Sequence, residues 1–342
     1  MINLTGKTVA VLTATYNDWP SLAVLLPLID AAVAETGARA RIVVVDDGST
    51  QVDGRSQVAE SRFQAIESVE EVMLGANQGN QRAVAIGIAH IAAHVPCDYM
   101  VVLDSDHEDP PRYISQLLAT CAGSGDTRIV FAERSQRSEG RAFKAFYRIY
   151  RWLYQALTGL PISVGNFSVV PGSMVARLAY SGELWNHYPA AIMRARLPFL
   201  KIPAARGKRI HGKSTMNLVR LVVHAFSGFT VHSDVVAVRV MLATMVAALG
   251  IIAVASIYVS LGLLEQIAPL GWPSLMAGIL IMILLQIMTP AVFLLFLSLS
   301  LRLQPPLIPA HDYVRFVLSI TRLYPVPPMA RVSDSRMAAA LT

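Results

Sequence analysis

MVVLDSDHEDPP, residues 100–111, decides how this chain is read. An apolar run, Met100–Leu103, stops at Asp104, and acidic residues then crowd the next positions: Asp104, Asp106, Glu108 and Asp109. Two prolines close the stretch. An apolar run without alternation is the pattern of a strand buried on both faces. Such a strand sets the charge that follows it at its carboxyl end. In open sheets covered by helices, ligands bind in the crevice beyond those ends.

Working outward, the same grammar repeats. Thr8–Ala14 and Arg41–Val45 read as buried strands, and each runs into a polar cluster, Thr15–Asp18 and Asp46–Ser49. Val69–Leu74, Tyr99–Leu103 and Arg128–Ala132 read as further strands. Helical spacing fills Ser21–Glu35, with Gly37 as its C-cap, and also Gln81–His94 and about Arg112–Cys121. Alternating strands and helices predict an α/β fold, a mostly parallel sheet with helices on both faces. The three polar clusters can then converge on one crevice. Each taken alone is also an ordinary turn, because Asp, Asn and Gly favour turns for local reasons.

Asp104 and Asp106, at i and i+2, point to one side of an extended segment. Two ionised carboxylates there repel, and a hard divalent cation, Mg2+ or Mn2+, relieves the repulsion. A solvated acidic turn is the competing reading. Asp46 and Asp47 could accept hydrogen bonds from a ribose or base, and Thr15, Tyr16 and Asn17 offer an aromatic face and an amide; both could equally be turns. Arg82, in GNQRAVAIG (79–87), either reaches a diphosphate or lies on a solvated face. The P-loop pattern is absent there.

Only 15% of the chain is charged, against about 25% in typical soluble domains. Val240–Leu264 and Gly271–Leu301 carry no charge over 25 and 31 residues. Each suffices to cross the ~30 Å of bilayer hydrocarbon. They predict a transmembrane hairpin, residues 235–301, with spans at about 238–264 and 273–301. The link Glu265–Leu270 has no positive charge, whereas Arg239 and Arg302 flank the spans. The positive-inside rule sets both termini in the cytosol. No secretory signal is visible in MINLTGKTVAVLTATYND, which leaves the expectation of a cytosolic domain over 1–213, a juxtamembrane amphipathic helix over 214–234 and a cytosolic tail over 302–342. The location expected is the cytoplasmic (inner) membrane. Two cysteines, Cys97 and Cys121, suit a reducing compartment and are too few for a zinc site of their own. The net charge of +6 fits anionic lipid or phosphate, and no nucleic-acid motif accompanies it. Small residues at Ala247, Ala248 and Gly250 would let the spans pack closely in a homo-oligomer.

Two basic segments precede the spans. In GRAFKAFYRIYRWLYQALTG (140–159), a helix places Arg141, Lys144, Arg148 and Arg151 on one stripe. Phe143, Phe146, Tyr147, Tyr150, Leu153 and Tyr154 fall opposite. A membrane-surface helix and a core helix with a basic edge both have this composition. In RGKRIHGKSTMN (206–217), Arg209 and Ser214 would suit a phosphate at the membrane surface, and Ser214 could cap the helix that follows. Topogenic charge beside a span is the plainer alternative.

TATYND, VVVDDGST, NQGNQRAVAIG and LDSDHEDPP, in this order, resemble family 2 glycosyltransferases with the GT-A fold. GNF (165–167), the 206–217 segment and the two-helix tail resemble the polyprenyl-phosphate glycosyltransferase branch, which includes dolichol-phosphate mannose synthase. The resemblance covers roughly residues 6–330. It implies that Asp104 and Asp106, with Glu108 as an additional ligand, bind the metal and diphosphate. It implies that Thr15, Tyr16, Asn17, Asp18, Asp46, Asp47 and Arg82 bind the nucleotide. Arg134, Arg141, Lys144, Arg209 and Ser214 would meet the acceptor phosphate, with Asp104, Asp106, Arg134 and Arg209 as the catalytic set. Asn166 stands where many relatives carry an acidic residue.

The activity so implied is inverting transfer of a sugar from a UDP- or GDP-linked donor to a polyprenyl phosphate. Two other readings stay in view. Processive polysaccharide synthases usually carry QxxRW and more spans, whereas here Arg148 precedes Arg151-Trp152. A non-catalytic membrane scaffold would have no use for the intact Asp104/Asp106 pair.

Overall fold

A computed structural model describes residues 3–134, 141–161, 164–210, 226–265, 272–301 and 306–325. Its centre is an eight-stranded sheet in the order β7-β5-β6-β4-β1-β2-β3-β8. The strands are β1 (Thr8–Thr15), β2 (Arg39–Asp46), β3 (Ile66–Leu74), β4 (Tyr99–Val102), β5 (Ile129–Arg134), β6 (Ser168–Pro171), β7 (Phe199–Ala204) and β8 (Val317–Tyr324). β6 runs antiparallel to both of its neighbours, and β8 runs antiparallel to β3. The other pairings are parallel. The sheet is therefore mixed and mostly parallel, as expected.

The apolar runs lack alternation because both faces are covered. Tyr99, Val101 and Leu103 join one core with Trp19, Leu22 and Leu26 of the helix α1 (Trp19–Ala34). Met100 and Val102 join the opposite core with Ala83, Ile86 and Ile88 of the helix Asn80–His94. That second helix lies close on the sheet at Gly87, where a Cβ would fall 2.2 Å from Leu12 Cδ1. A side chain there would have to displace those of Leu12 and Val45 or push the helix off the strands.

The helices Ser233–Glu265 and Trp272–Leu301 are long and apolar enough to cross a membrane. Their apolar windows, Ser233–Ile257 and Leu275–Ser300, are 0% and 6% buried. The first is fastened to the sheet domain by a two-pronged contact. Arg194 Nη1 and Nη2 donate to Asp234 Oδ1 and Oδ2, each at 2.8 Å.

The expected tail over 302–342 contains a strand of the main sheet. Val317–Tyr324 pairs with β3, so the chain returns to the domain it left after β7. The turn before it docks through His94 Nε2 and Tyr313 Oη, 2.7 Å apart. Beside it His90 Nε2 lies 3.3 Å from Glu70 Oε2, and this hydrogen bond holds the Glu70 carboxyl below its usual range. No local pattern assigns β8 to this sheet, because its partner strand lies more than two hundred positions away and joins it by an antiparallel edge pairing.

Candidate active site

The parallel register explains how distant clusters meet. Thr15 sits beside Asp46 at the ends of β1 and β2, and Leu12 beside Val102 sets Asp104 just beyond them. Arg134 and Ala204 end β5 and β7 side by side. β6 enters the sheet at this same edge because it runs the other way, which brings Asn166 to the acidic loop. Asn166 Nδ2 donates to Asp104 Oδ1 at 3.3 Å, as does Asn80 Nδ2 at 3.3 Å. Gln81 completes the corner, with Nε2 donating to Asn166 Oδ1 at 3.3 Å.

The acidic loop is rigidly seated. Asp109 Oδ2 accepts from Asp104 N at 3.1 Å, and Asp106 Oδ1 accepts from Glu108 N at 3.0 Å. His107 is buried with a left-handed φ of 66°, and its Nε2 lies 2.9 Å from the Ser21 carbonyl oxygen. A positive φ in a non-glycine residue is costly and persists where surroundings over-determine it. His107 escaped the sequence reading because one histidine in an acidic turn carries no pattern.

Asp46 and Asp47 are engaged by the protein. Trp19 Nε1 donates to Asp46 Oδ2 at 2.9 Å, and Ser49 N to Asp46 Oδ1 at 2.8 Å. Gln78 N and Gly79 N donate to Asp47 Oδ1 and Oδ2 at 2.6 and 2.9 Å, anchoring the start of the Asn80–His94 helix. Burial pushes the Asp47 carboxyl up, against these two hydrogen bonds. A nucleotide reaching either residue would share oxygens that already hold the loops.

Asn17, with φ 52°, accepts on Oδ1 from Thr50 N and Gln51 N at 2.8 and 2.9 Å. It thereby ties the first cluster to the second. Tyr16 is 43% exposed, a free aromatic face, while Thr15 Oγ1 is buried with no hydrogen-bond partner among the described residues. Asp18 accepts from Ser21 Oγ. Arg82 is exposed, with Nη1 donating to Gln78 Oε1 at 3.3 Å.

The segment leaving β7 crosses the acidic loop. Gly207 N donates to the Glu108 carbonyl at 2.9 Å, and a Cβ at Gly207 would lie 2.0 Å from His107 O. Arg206 pairs with the Glu108 carboxylate, and Arg209 Nη2 donates to Asp106 Oδ2 at 2.6 Å. Arg209 Nη1 stands 3.8 Å from Asp18 Oδ2. Glu108 is thus held by Arg206 rather than grouped with the two aspartates, and no set of three metal-binding side chains converges among the described residues. Asp104 and Asp106 still make a hard-oxygen pair that fits Mg2+ or Mn2+. Asp104 meets two neutral amides, and no ion pair to it forms among the described residues.

Of the remaining expected residues, Arg134 is the last of β5, and Arg141 and Lys144 open the helix α5 (Arg141–Thr158). Ser214 lies outside the described residues. The aromatic face of α5 divides. Tyr154 is buried against Phe229, ring centroids 5.0 Å apart, and Tyr150 stands 5.8 Å from the same ring. Ile149 and Trp152 stay exposed at 65% and 69%. Arg239, at the start of the first long apolar helix, donates from Nη1 to the Ala156 carbonyl of α5 at 2.7 Å.

The sheet, the crevice at its strand ends and the acidic loop define an α/β domain with a binding crevice for a polar ligand. The profile of Glycosyl transferase family 2 matches residues 10–180, and the chain belongs to that family. It is similar to the undecaprenyl-phosphate 4-deoxy-4-formamido-L-arabinose transferases of Klebsiella pneumoniae subsp. pneumoniae, 26% identical over 220 residues, and Edwardsiella ictaluri, 27% identical over 217 residues. Each match covers 63% of this chain and 64% of the relative, so the chain spans less than two thirds of those proteins. Among solved structures it is similar to glucosyl-3-phosphoglycerate synthase from Mycobacterium tuberculosis in complex with Mn2+ and UDP-glucose, with TM-score 0.47 and 14% identity. That likeness covers 67% of this chain and 79% of the synthase.

Proposed function

We propose that the protein is a membrane-anchored inverting glycosyltransferase that moves a sugar from a UDP- or GDP-linked donor to a polyprenyl phosphate. One observation carries the reading: the segment that crosses the Asp104–Asp109 loop is the one that leads to the apolar helices. Arg209 touches Asp106, and the first long helix starts at Ser233. A water-soluble donor and a lipid acceptor would meet across that junction. The relatives named for undecaprenyl phosphate support the acceptor class.

In this reading Tyr16 stacks on the base, and the Asn17 bridge keeps its loop in place. Asp104 and Asp106 would hold Mg2+ or Mn2+, whose positive charge, when bound, would offset the negative charge of a departing nucleoside diphosphate. Arg209, with Arg134, Arg141, Lys144 and Ser214, gathers the acceptor phosphate. That phosphate has a second pKa near ~6, so at neutral pH it is largely dianionic. Its oxygen attacks the anomeric carbon as the bond to the diphosphate breaks. No proton must be removed, which suits the neutral Asn166 beside Asp104. Positioning and charge neutralisation then supply most of the acceleration.

The membrane reading has three supports. The two helices are long, apolar and exposed. β7 and β8, which flank them in sequence, belong to one sheet, so the chain leaves and returns on one side, as a two-span hairpin requires. The Ile149/Trp152 stripe of α5, next to Arg239, suits the bilayer interface, where Trp and Arg gather. The domain and both termini are then cytosolic, at the cytoplasmic membrane, and the exposed spans leave room for a homo-oligomer.

The test is a transfer assay. Purified full-length chain in detergent is given undecaprenyl phosphate, Mg2+ or Mn2+, and a panel of radiolabelled UDP- and GDP-sugars. Metal-dependent label in the organic phase with one donor is expected. Absence of any nucleotide binding would overturn the reading in favour of a scaffold.

A further inference from the structure

Arg209 has the chemistry of an acceptor ligand, yet it sits on the donor side. Its Nη2 is 2.6 Å from Asp106 Oδ2 and its Nη1 is 3.8 Å from Asp18 Oδ2. Its Nε is buried with no hydrogen-bond partner among the described residues. A fully seated guanidinium uses its fork of donors on both oxygens of a carboxylate. Here Arg209 meets Asp106 through one nitrogen on Oδ2, while Glu108 N donates to Oδ1, so the fork is only half used. Three residues earlier, Arg206 pairs with Glu108 through two nitrogens on one oxygen. Two arginines of one segment thus stand as cations on two carboxylates of one loop.

The backbone between them is pinned. Gly207 N donates to the Glu108 carbonyl at 2.9 Å, and the close approach to His107 O leaves no room for a Cβ. Exchange at this seam is therefore confined to side chains. A divalent cation on Asp106 and a guanidinium on the same oxygen would repel each other. A displaced guanidinium, partly buried, needs another anion.

We propose that Arg209 is the counter-ion of Asp106 in the cation-free chain, and that loading of the divalent cation displaces it toward the acceptor phosphate. The inference rests on Asp104 and Asp106 being the cation ligands. Donor loading and completion of the acceptor site are then one event. Arg209 is a positioning residue for the cation and an acceptor ligand once released. By linkage, what the cation displaces must in turn weaken the cation.

The experiment titrates Mn2+ alone, read by the EPR signal of free Mn2+, into the detergent-solubilised full chain and three variants. Arg209→Gln is expected to bind Mn2+ roughly tenfold more tightly than the parent, since one competing positive charge is gone. Arg206→Gln, removed by one carboxylate, is expected to shift binding less. Asp106→Asn is expected to lose most of the binding. A short-chain polyprenyl phosphate should bind the parent more tightly once Mn2+ and a nucleoside diphosphate are present, and Arg209→Gln should lose that gain. A static Arg209 charge would also weaken Mn2+ binding, but its removal would leave the Mn2+-dependent gain in polyprenyl phosphate binding intact. Unchanged or weaker Mn2+ binding by Arg209→Gln, or no binding by either chain, overturns the exchange. If Asp106→Asn alone loses Mn2+, the functional reading survives that failure. If Asp106→Asn binds as the parent does, the cation site itself is wrong, and the exchange falls with it.

Discussion

The loops that end β1 and β2 and the segment that leaves β7 are both rich in charge, but they are held differently. In the first, buried carboxylates accept backbone and indole N–H groups: Asp46 from Trp19 and Ser49, Asp47 from Gln78 and Gly79. In the second, arginines rest on partly exposed carboxylates, Arg206 on Glu108 and Arg209 on Asp106. A buried acceptor that satisfies backbone donors cannot be exchanged without orphaning them. An ion pair between two side chains orphans no backbone donor when one charged partner is traded for another. The half of the crevice built by the β1 and β2 loops is therefore scaffold, and the half met by the segment that leaves β7 is built from replaceable contacts.

Substitutions on each side sharpen or break that contrast. The largest effect is expected from Asp106→Ala, which should reduce transfer by about a thousandfold or more while circular dichroism and membrane insertion stay unchanged. Retained turnover would end the metal role. Asp46→Ala should instead act on the fold. It strands the buried Trp19 indole N–H, a loss of about 1–3 kcal/mol, and the half-buried Ser49 N–H, so a clear drop in melting temperature is expected, and an unaltered melt would show that the β1 and β2 loops are not scaffold after all. Arg209→Ala should leave the melt in place and raise the KM for lipid acceptor by roughly tenfold, with no loss of nucleotide affinity. Equal losses of both would erase the distinction between the halves.

The smallest effect concerns the returning strand. The Glu70 carboxyl is held below its usual value by His90, so the folded chain binds fewer protons there than the unfolded chain. That contribution is present above the ordinary carboxyl range near 4.5 and is lost as pH falls through the lowered value. Glu70→Gln should flatten the acid limb of a stability–pH curve, by on the order of 0.5 kcal/mol for a pair whose carboxylate stays partly solvated. A limb as steep as the parent's would place the acid sensitivity elsewhere.

What could be read in advance follows the range of the forces involved. β1 to β5 and their helices announced themselves, since strands buried on two faces need long apolar runs and the intervening helices need their own period. The polar clusters at Thr15, Asp46 and Asp104 were visible because each interrupts such a run. β6, β7 and β8 were not, being short or at the sheet's periphery, with no local mark of their partners. His107 and Gly207 stayed hidden for a related reason. One is defined by a backbone angle and the other by the approach of a loop a hundred positions away. α5 was legible as amphipathic, but only its packing showed that Tyr150 and Tyr154 turn to Phe229 while Ile149 and Trp152 stay outside.

By itself, then, the order of residues determined the class of fold, the family and the edge of the sheet where chemistry would gather, because hydrophobic period and strand-end polarity act within a few residues. The partners of each charge were decided only in three dimensions. Whether an aspartate anchors a loop, as Asp46 does, or waits on an exchangeable arginine, as Asp106 does, depends on burial and on what the register sets opposite it. Those are properties of the assembled sheet, and no stretch of the sequence contains them.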